Sequence, residues 1–398
     1  MYYQYYIYIM TETPESSPSQ TKVYVNRRAE KDGVLTFTLV NIDVSIANAL
    51  RRTILSDIPT IGFRTFPHEK NEAHIHKNTS RFNNEILKQR LSCIPIHITD
   101  FNLPYNELLM VVKKENTGKD IMYVTTEDFK IKNTVSDKFL TDQTVRKIFP
   151  PDPYTKDYIL FARLRPKISN EVPGEIIHIE AAMSLQTAKH DAVFNVVSCA
   201  SYGMTPDRLR QDALWQKKLS TLTEKNDPVA LEMAQQDWQL HDAQRIYKPN
   251  SFDFRIESIG VFDNIYIVVE ACNIIIHRLE IILKEQPEIK ESSTTMSNSF
   301  DVLLRSEGYT IGKLLEFILQ DLFYKQQRTL IFVAFLKKHP HDTDSLIRMA
   351  LVDENGGETN GGETNGGETN GEIRIAHMIN TACQKGIEII KEIVSDFQ

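Results

Sequence analysis

The chain has 398 residues but only four cysteines, Cys93, Cys199, Cys272 and Cys383, and no two of them form a Cys-x-x-Cys pair. That spacing argues against a zinc knuckle and a disulfide framework, and it fits a reducing compartment. Positive charge is short as well, with a net charge of −7. A surface of that sign does not attract nucleic acid phosphates as a whole, which speaks against a dedicated DNA-binding protein and leaves room only for a local basic patch. The tyrosine-rich start, residues 1–10, lacks the basic region and long apolar core of a secretory signal and is too short to span a bilayer. The sequence carries no aspartate triad of the kind that holds magnesium for nucleotidyl transfer, and no nucleophile–base arrangement that spacing supports. The glycine-rich stretch at 356–370 lacks the Lys-Ser/Thr that a phosphate-binding loop requires. These absences lead us to expect no catalytic residue, no metal and no cofactor.

What is present is ordinary for a globular protein: 41% hydrophobic and 25% charged residues, in a length that suits two or three domains. The most organised stretch is residues 41–64. Ile46, Ala49, Leu50, Thr53 and Ile54 fall at helical spacing and make one mostly apolar stripe. Asp43 or Ser45 can cap the start, and Pro59, which has no N–H to donate, stops the helix. Arg51 and Arg52 lie on the flank of the stripe, where the simplest reading is a solvated basic face. Residues 34–39 alternate around Leu35, Phe37 and Leu39 as a half-buried strand, and 60–66 read as another.

From residue 67 to about 247 the character changes. Strand-like runs at 93–98, 108–112, 121–125, 158–164 and 176–183 are separated by proline and asparagine, which predicts a mainly β region. Glu72, His74 and His76 form a conceivable metal or hydrolase site, but a lone His-x-His reads more simply as a polar strand face. Residues 205–250 are polar and helix-favouring, contain Trp215 and Trp238, and interleave charges of both signs as a solvated face does. Residues 251–260 alternate Phe252, Phe254 and Ile256 as a strand. Asp263 can cap the helix that follows, whose buried side is marked by Ile265, Val268, Val269, Cys272, Ile276, Leu279 and Leu283. A charged, Ser/Thr-rich stretch at 284–298 reads as a linker.

After it the sequence begins again. Phe300 to Leu304 is a strand, and Ile311, Leu314, Leu315, Ile318 and Leu322 share one side of a helix. Thr310-Ile311-Gly312-Lys313-Leu314-Leu315 repeats the order of Ser45-Ile46-Ala47-Asn48-Ala49-Leu50: hydroxyl, Ile, small, polar, apolar, Leu. A last helix presents Ile379, Cys383, Ile387, Ile390, Val394 and Phe397. Residues 11–20 are expected to be disordered. The three tandem Gly-Gly-Glu-Thr-Asn copies at 356–370 read as a flexible insertion at a loop tip, where each doubling of length adds only about 0.6 kcal/mol.

The residues that carry a family likeness are specific. Asp43, Asn48, Leu50, Arg51, Arg52, Ile58 and Pro59 stand at the offsets of the signature helix of the third-largest subunit of eukaryotic RNA polymerases, which its archaeal counterpart and the bacterial alpha protein share in related form. Residues 90–97, 162–166 with 175–181, Lys189-His190 with Phe194, and Ala200-Ser201-Tyr202 resemble further stretches of that family, and Ser251 to Gly260 resembles its strand Phe-x-Phe-x-Val-Glu-Ser-x-Gly. The second copy, with Lys337-Lys338-His339-Pro340, resembles the eleventh subunit and its archaeal counterpart, although Glu316 stands where that family has arginine. The cysteine cluster that many relatives carry in the insert is absent here.

Both families in one chain resemble the fused subunit 3/subunit 11 polypeptide of asfarvirus RNA polymerase. The resemblance implies an α+β fold: two alpha-subunit-like dimerisation domains in one chain, each an antiparallel sheet with packed helices, the first interrupted by a mainly β insert. The expected division is an extension at 1–22, a discontinuous first domain at 23–66 and 248–286, an insert at 67–247, a linker at 287–298 and a second domain at 299–398. The resemblance implies an assembly platform without chemistry of its own. Its partners would be the largest and second-largest polymerase subunits and small assembly subunits, with DNA reached only through the complex and no membrane. Asn48, Leu50, Arg51, Arg52, Lys189 and His190 are the expected partner contacts. Ile46, Ala49, Ile54, Ile311, Leu314, Leu315, Ile318, Ile387 and Ile390 are expected to join the two halves. By the same resemblance the setting would be the virion and host cytoplasm, and an interaction scaffold outside transcription is the alternative.

Overall fold

A computed structural model describes residues 22–169, 171–221, 227–292, 296–352 and 370–398. The tyrosine-rich start, the segment expected to be disordered and nearly all of the Gly-Gly-Glu-Thr-Asn repeat lie outside these residues. The fold is α+β, with antiparallel sheets and packed helices.

One four-stranded sheet runs in the order β1 (Tyr24–Lys31), β2 (Val34–Val40), β13 (Tyr247–Ser258), β12 (Val197–Pro206). It brings together strands from before residue 67 with β12, which falls inside the expected insert span, and β13 at its end: β2 pairs with β13 in a register that sets Phe37 opposite Phe254, their rings stacked 5.0 Å apart. A second four-stranded sheet follows the order β14 (Ile289–Glu291), β15 (Ser299–Leu304), β17 (Ser345–Leu351), β16 (Leu330–Leu336). Four helices accompany the two sheets: α1 (Val44–Ser56), α6 (Asn264–Glu285), α7 (Tyr309–Leu319) and α8 (Asn370–Phe397).

The insert contains a five-stranded sheet, β4 (Ala73–Asn78), β10 (Ile176–Ala182), β5 (Leu108–Glu115), β7 (Lys130–Asn133), β8 (Lys138–Phe139), and the two-stranded pair β6 (Met122–Thr125) with β9 (Leu160–Leu164). Another pair, β3 (Pro59–Gly62) with β11 (Ser184–Thr187), ties the end of α1 to the insert. Four helices also lie here: α2 (Asn84–Ser92), α3 (Asp142–Ile148), α4 (Arg208–Thr221) and α5 (Pro228–Leu240). Trp215 and Trp238 stand 6.0 Å apart and, with Leu214, Ala243 and Ile246, make a small apolar core of their own.

Local chemistry explains the elements around the first sheet. Asp32 and Gly33 take positive φ (53° and 77°) in the two-residue turn between β1 and β2, the Asp-Gly turn that matches strand twist. The Asp43 carboxylate accepts from the Ser45 N–H and caps α1. Asp263 stands at the start of α6, but its side chain makes no capping bond. Asn264 takes over the local polar work: its Oδ1 accepts from the Ser258 N–H, and its Nδ2 donates to Glu30 and to the Gly33 carbonyl.

Several sequence expectations need correction. Residues 93–98 are not a strand: Cys93 ends α2, and the residues after it run without a ladder. The strand expected at 60–66 is the shorter β3. The buried side of α6 is Ile267, Val268, Ala271, Cys272, Ile275, Leu279 and Ile282, with Ile265, Val269, Ile276 and Leu283 only half-buried beside it. Part of the stretch read as a linker is β14, which pairs with β15.

One apolar cluster runs through both four-stranded sheets and all four of their helices. It holds Leu35, Phe37 and Phe254 from the first sheet, Phe300, Val302 and Ile347 from the second, and Leu50, Cys272, Leu315 and Ile390 from α1, α6, α7 and α8. The Phe397 ring, from the last helix, meets Phe37 edge-on at 5.0 Å. Burial pushes the Cys272 and Cys383 thiols up to about 12, so both stay protonated and act as small apolar fillers. The insert has a separate cluster around Phe63, Phe129, Phe149 and Phe161.

Glycine is required where α7 meets β16. A Cβ on Gly312 would lie 2.0 Å from the Phe335 ring. Gly312→Ala is therefore expected to lower the unfolding free energy by about 1–3 kcal/mol in urea denaturation, through overpacking. Gly203→Ala, where a Cβ meets nothing within 4 Å, is expected to change it by less than about 1 kcal/mol.

Candidate partner interface along helix α1

The site is built on α1 because this helix touches both halves of the chain. Its stripe of Ile46, Ala49, Leu50, Thr53 and Ile54 is buried, and it packs on α6, α7 and β12. Ile311, Leu314, Leu315 and Ile318 of α7 and Ile390 of α8 are buried in the same cluster, and Ile387 is half-buried against it. Leu50 has no exposed surface, which corrects its assignment as a partner contact: it is core.

The polar residues lie along the other side of α1 and at its end. Arg51 Nε and Nη2 approach the Asn48 Oδ1 at 3.4 and 3.3 Å, an i, i+3 pair one turn apart. Tyr202 of β12 is close by. Burial pushes its phenol up, Arg51 draws it down, and Asp43 adds to the rise. Arg52 Nε donates to Thr310 Oγ1 at 3.1 Å, so this arginine reaches across to α7. At the C-terminal end, the Lys189 N–H donates to the Ser56 carbonyl at 2.9 Å, and Thr187 Oγ1 lies 3.1 Å from His190 Nδ1. The Lys189 and His190 side chains are exposed there. The structure thus brings Asn48, Arg51, Arg52, Lys189 and His190 to one helix and its end, with Arg52 already engaged inside the molecule.

The equivalent positions on α7 carry different charges. Lys313 stands where α1 has Asn48, and Glu316 where it has Arg51; Lys313 Nζ pairs with Glu316 at 2.6 Å. The two helices are alike in their buried stripes and unlike in the charges that flank them, although Glu316 itself is mostly buried.

Sequence reasoning missed the ion cluster that joins α1, α6 and the start of α7. Arg278 Nη1 donates to Asp57 at 3.0 Å, and its Nε donates to Glu307 at 3.0 Å, with Nη2 on the second oxygen of Glu307. All three side chains are mostly buried, at 18%, 15% and 12% exposure. Burial draws the Arg278 guanidinium down, but Glu307 and Asp57 outweigh it and hold it above its usual value. A charged residue between Ile275 and Leu279 was the available signal. Its partners, however, lie 221 and 29 positions away, beyond any local pattern.

Glu72, His74 and His76 do not come together as a site. Glu72 accepts from Ser184 Oγ, while His76 turns toward His178 and Glu180. No helix among the described residues is long and apolar enough to cross a membrane.

Residues 36–279 match the family described as the RNA polymerase Rpb3/Rpb11 dimerisation domain. The matched span reaches from β2 into α6 and ends before β15. The chain is similar to the DNA-directed RNA polymerases I and III subunit rpac1 of Dictyostelium discoideum, 27% identical over 195 residues, or 46% of this chain and 52% of that one. It is similar to the subunit RPAC1 of Saccharomyces cerevisiae, 28% identical over 200 residues, 43% of this chain and 53% of that one. Over a shorter span it is similar to the DNA-directed RNA polymerase subunit Rpo3 of Pyrococcus furiosus, 33% identical over 99 residues, 24% of this chain and 35% of that one. The chain spans about half the length of the first two relatives.

Removing Arg278 strands two mostly buried carboxylates. Arg278→Met is expected to cost about 3 kcal/mol or more in chemical denaturation. Adding Asp57→Asn and Glu307→Gln to that variant is expected to restore most of the loss, because the uncompensated charges are then gone.

Proposed function

This chain belongs to the RNA polymerase Rpb3/Rpb11 dimerisation domain family, and on that premise we propose that it is a non-catalytic assembly subunit of a DNA-directed RNA polymerase. The observation that carries this reading is the single apolar cluster in which α1 and α6 pack against α7 and α8. Dimerisation domains bury such helices against a partner. Here the partner surface is supplied by the second copy within the same chain. A short tether raises the effective concentration of one half about the other to roughly millimolar, so the platform forms without a separate assembly step.

Within this reading the chain is the fused subunit 3/subunit 11 type, of the asfarvirus kind. Residues 23–66 and 248–286 form one dimerisation domain, 299–398 the other, and 67–247 the insert. The repeat after residue 298 of a sheet with an α1-like helix supports that division. The setting in virion and host cytoplasm follows only from the fused type.

The platform seats the largest and second-largest polymerase subunits and holds small assembly subunits, touching DNA only through the complex. Asn48, Arg51, Lys189 and His190 form the contact, with Arg52 fixing α1 to α7. Arginine suits the role because its planar fork makes several directed hydrogen bonds. The charges flanking the two stripes support a platform with two different sides: Arg51 on one signature helix, and on the other the exposed Lys313 paired with a mostly buried Glu316. A scaffold outside transcription would share the fold, and isolation of the native assembly without large polymerase subunits would identify it.

Arg51→Glu combined with Lys189→Glu is expected to leave the fold intact by circular dichroism and to reduce co-purification with the second-largest subunit by at least about tenfold, as loss of a hot-spot arginine does. A folded double variant that co-purifies like the unaltered chain contradicts the assignment.

A further inference from the structure

The outer face of the insert's five-stranded sheet carries a cluster that the platform reading does not use. His76 on β4 and His178 and Glu180 on β10 point to a common space. His76 Nε2 lies 3.1 Å from Glu180 Oε2, and His178 Nε2 lies 3.6 Å from Glu180 Oε1. The two imidazole rings stand 4.6 Å apart, inclined by 35°. One potential ligand atom from each residue falls within 4.8 Å of the others.

We propose that His76, His178 and Glu180 bind a divalent transition metal ion, zinc foremost, and that the ion clamps the edge strand β4 to β10. Two imidazoles and one carboxylate are a borderline donor set that suits zinc, cobalt or nickel and not the all-oxygen ions magnesium and calcium. The spacing agrees with the chemistry. Donors about 2.0–2.2 Å from a tetrahedral ion stand about 3.3–3.6 Å from one another. The two separations from Glu180, 3.1 and 3.6 Å, go to different carboxylate oxygens, and the three donors lie within 4.8 Å of one another, so side-chain rotation has to close the remaining gap around the ion. Three protein donors leave the fourth position to water.

The backbone supplies a reason for the convergence. The β4–β10 register shifts between His178 and Ile179: His178 pairs with Lys77 and Ile179 with Ile75, leaving His76 as the extra residue of a bulge. Bulges re-aim a side chain and recur beside functional sites. His74 is the register partner of Glu180, and the bulge sets the extra residue His76 next to it, between the partners of His178 and Glu180; of the two, His76 has its donor atom within reach of the other pair. Among the described residues β4 has no strand on its other side, and an ion held by both strands adds a cross-link where the ladder ends. Lys77 and Lys113, the register partners of His178 on its two sides, place cations nearby and moderate the affinity.

The competing explanation is a plain histidine–glutamate pair on an exposed face. Calorimetric titration of the full chain, stripped with a chelator and then titrated with zinc chloride alone, separates the two. The expected result is one saturable equivalent, a thermal midpoint that rises with zinc, and visible absorption bands of four-coordinate cobalt when Co²⁺ replaces zinc. His178→Ala and Glu180→Gln should each weaken binding by more than the roughly tenfold that loss of an outer partner costs. His76→Ala, at the most exposed of the three positions, should do the same and serves if His178→Ala fails to fold. His339→Ala with His341→Ala, which removes another close histidine pair, should leave binding unchanged. Absence of saturable binding overturns the proposal, as does binding that persists in the cluster variants.

Discussion

Helices from before and after residue 298 converge at Gly386. A Cβ at that position of α8 would stand 3.0 Å from Leu279 of α6, and 3.3 Å from both Ile318 and Leu314 of α7. The backbone of the last helix can therefore lie close against both α6 and α7. The rest of the core is arranged about this approach. α1 closes one flank through its own apolar stripe, and the two sheets contribute the phenylalanines and aliphatics that fill the space. The hydrophobic effect has no direction of its own. Direction comes from polar contacts at the edge of the same core: Arg278 with Asp57 and Glu307, and Arg52 with Thr310. At the far end, the Val23 and Val25 N–H groups donate to Glu392 and Asp396, so the first described strand is fastened to the last helix.

This arrangement explains why a chain with ordinary composition can hold one core together across both sheets without disulfides. All four cysteines are free, and two of them are buried filler. The residues around Phe63, Phe129 and Phe161 keep a separate apolar cluster, joined to the main core through β3 with β11 and followed in the chain by β12, which pairs with β13. Gly62 on β3 meets Phe194 so closely that a Cβ would come within 2.9 Å of its ring, which fixes how the strand leaves α1.

Much of this was legible where the pattern is local and strong. The stripe of α1, the alternation of Phe252, Phe254 and Ile256, and the renewed strand and helix after residue 298 all follow from residue spacing. Other features were not. β1 is exposed along nearly its whole length, so no alternation marks it; only the Asp-Gly turn after it was a signal. α2 turns on Leu87 and Leu91 alone as buried apolar residues and leaves a weak helical stripe. β14 is short and charged, and reads as linker until β15 is beside it. The outward contacts of α1 depend on which arginine the second half occupies: Arg52 goes inward to Thr310 and Arg51 stays beside Asn48, and no spacing distinguishes neighbours in sequence that way. The bulge that makes His76 an extra residue of β4 is likewise set by β10, a hundred residues later in the chain.

Residues before and after the tether are held to form one core, and that is the point on which the platform stands or falls. The most direct measurement is to produce residues 1–292 and 296–398 as two polypeptides in one cell and to purify them through a tag on the first. An equimolar complex that survives gel filtration is expected, with the second polypeptide insoluble when made alone. Recovery of the two as separate, folded monomers would contradict the shared core.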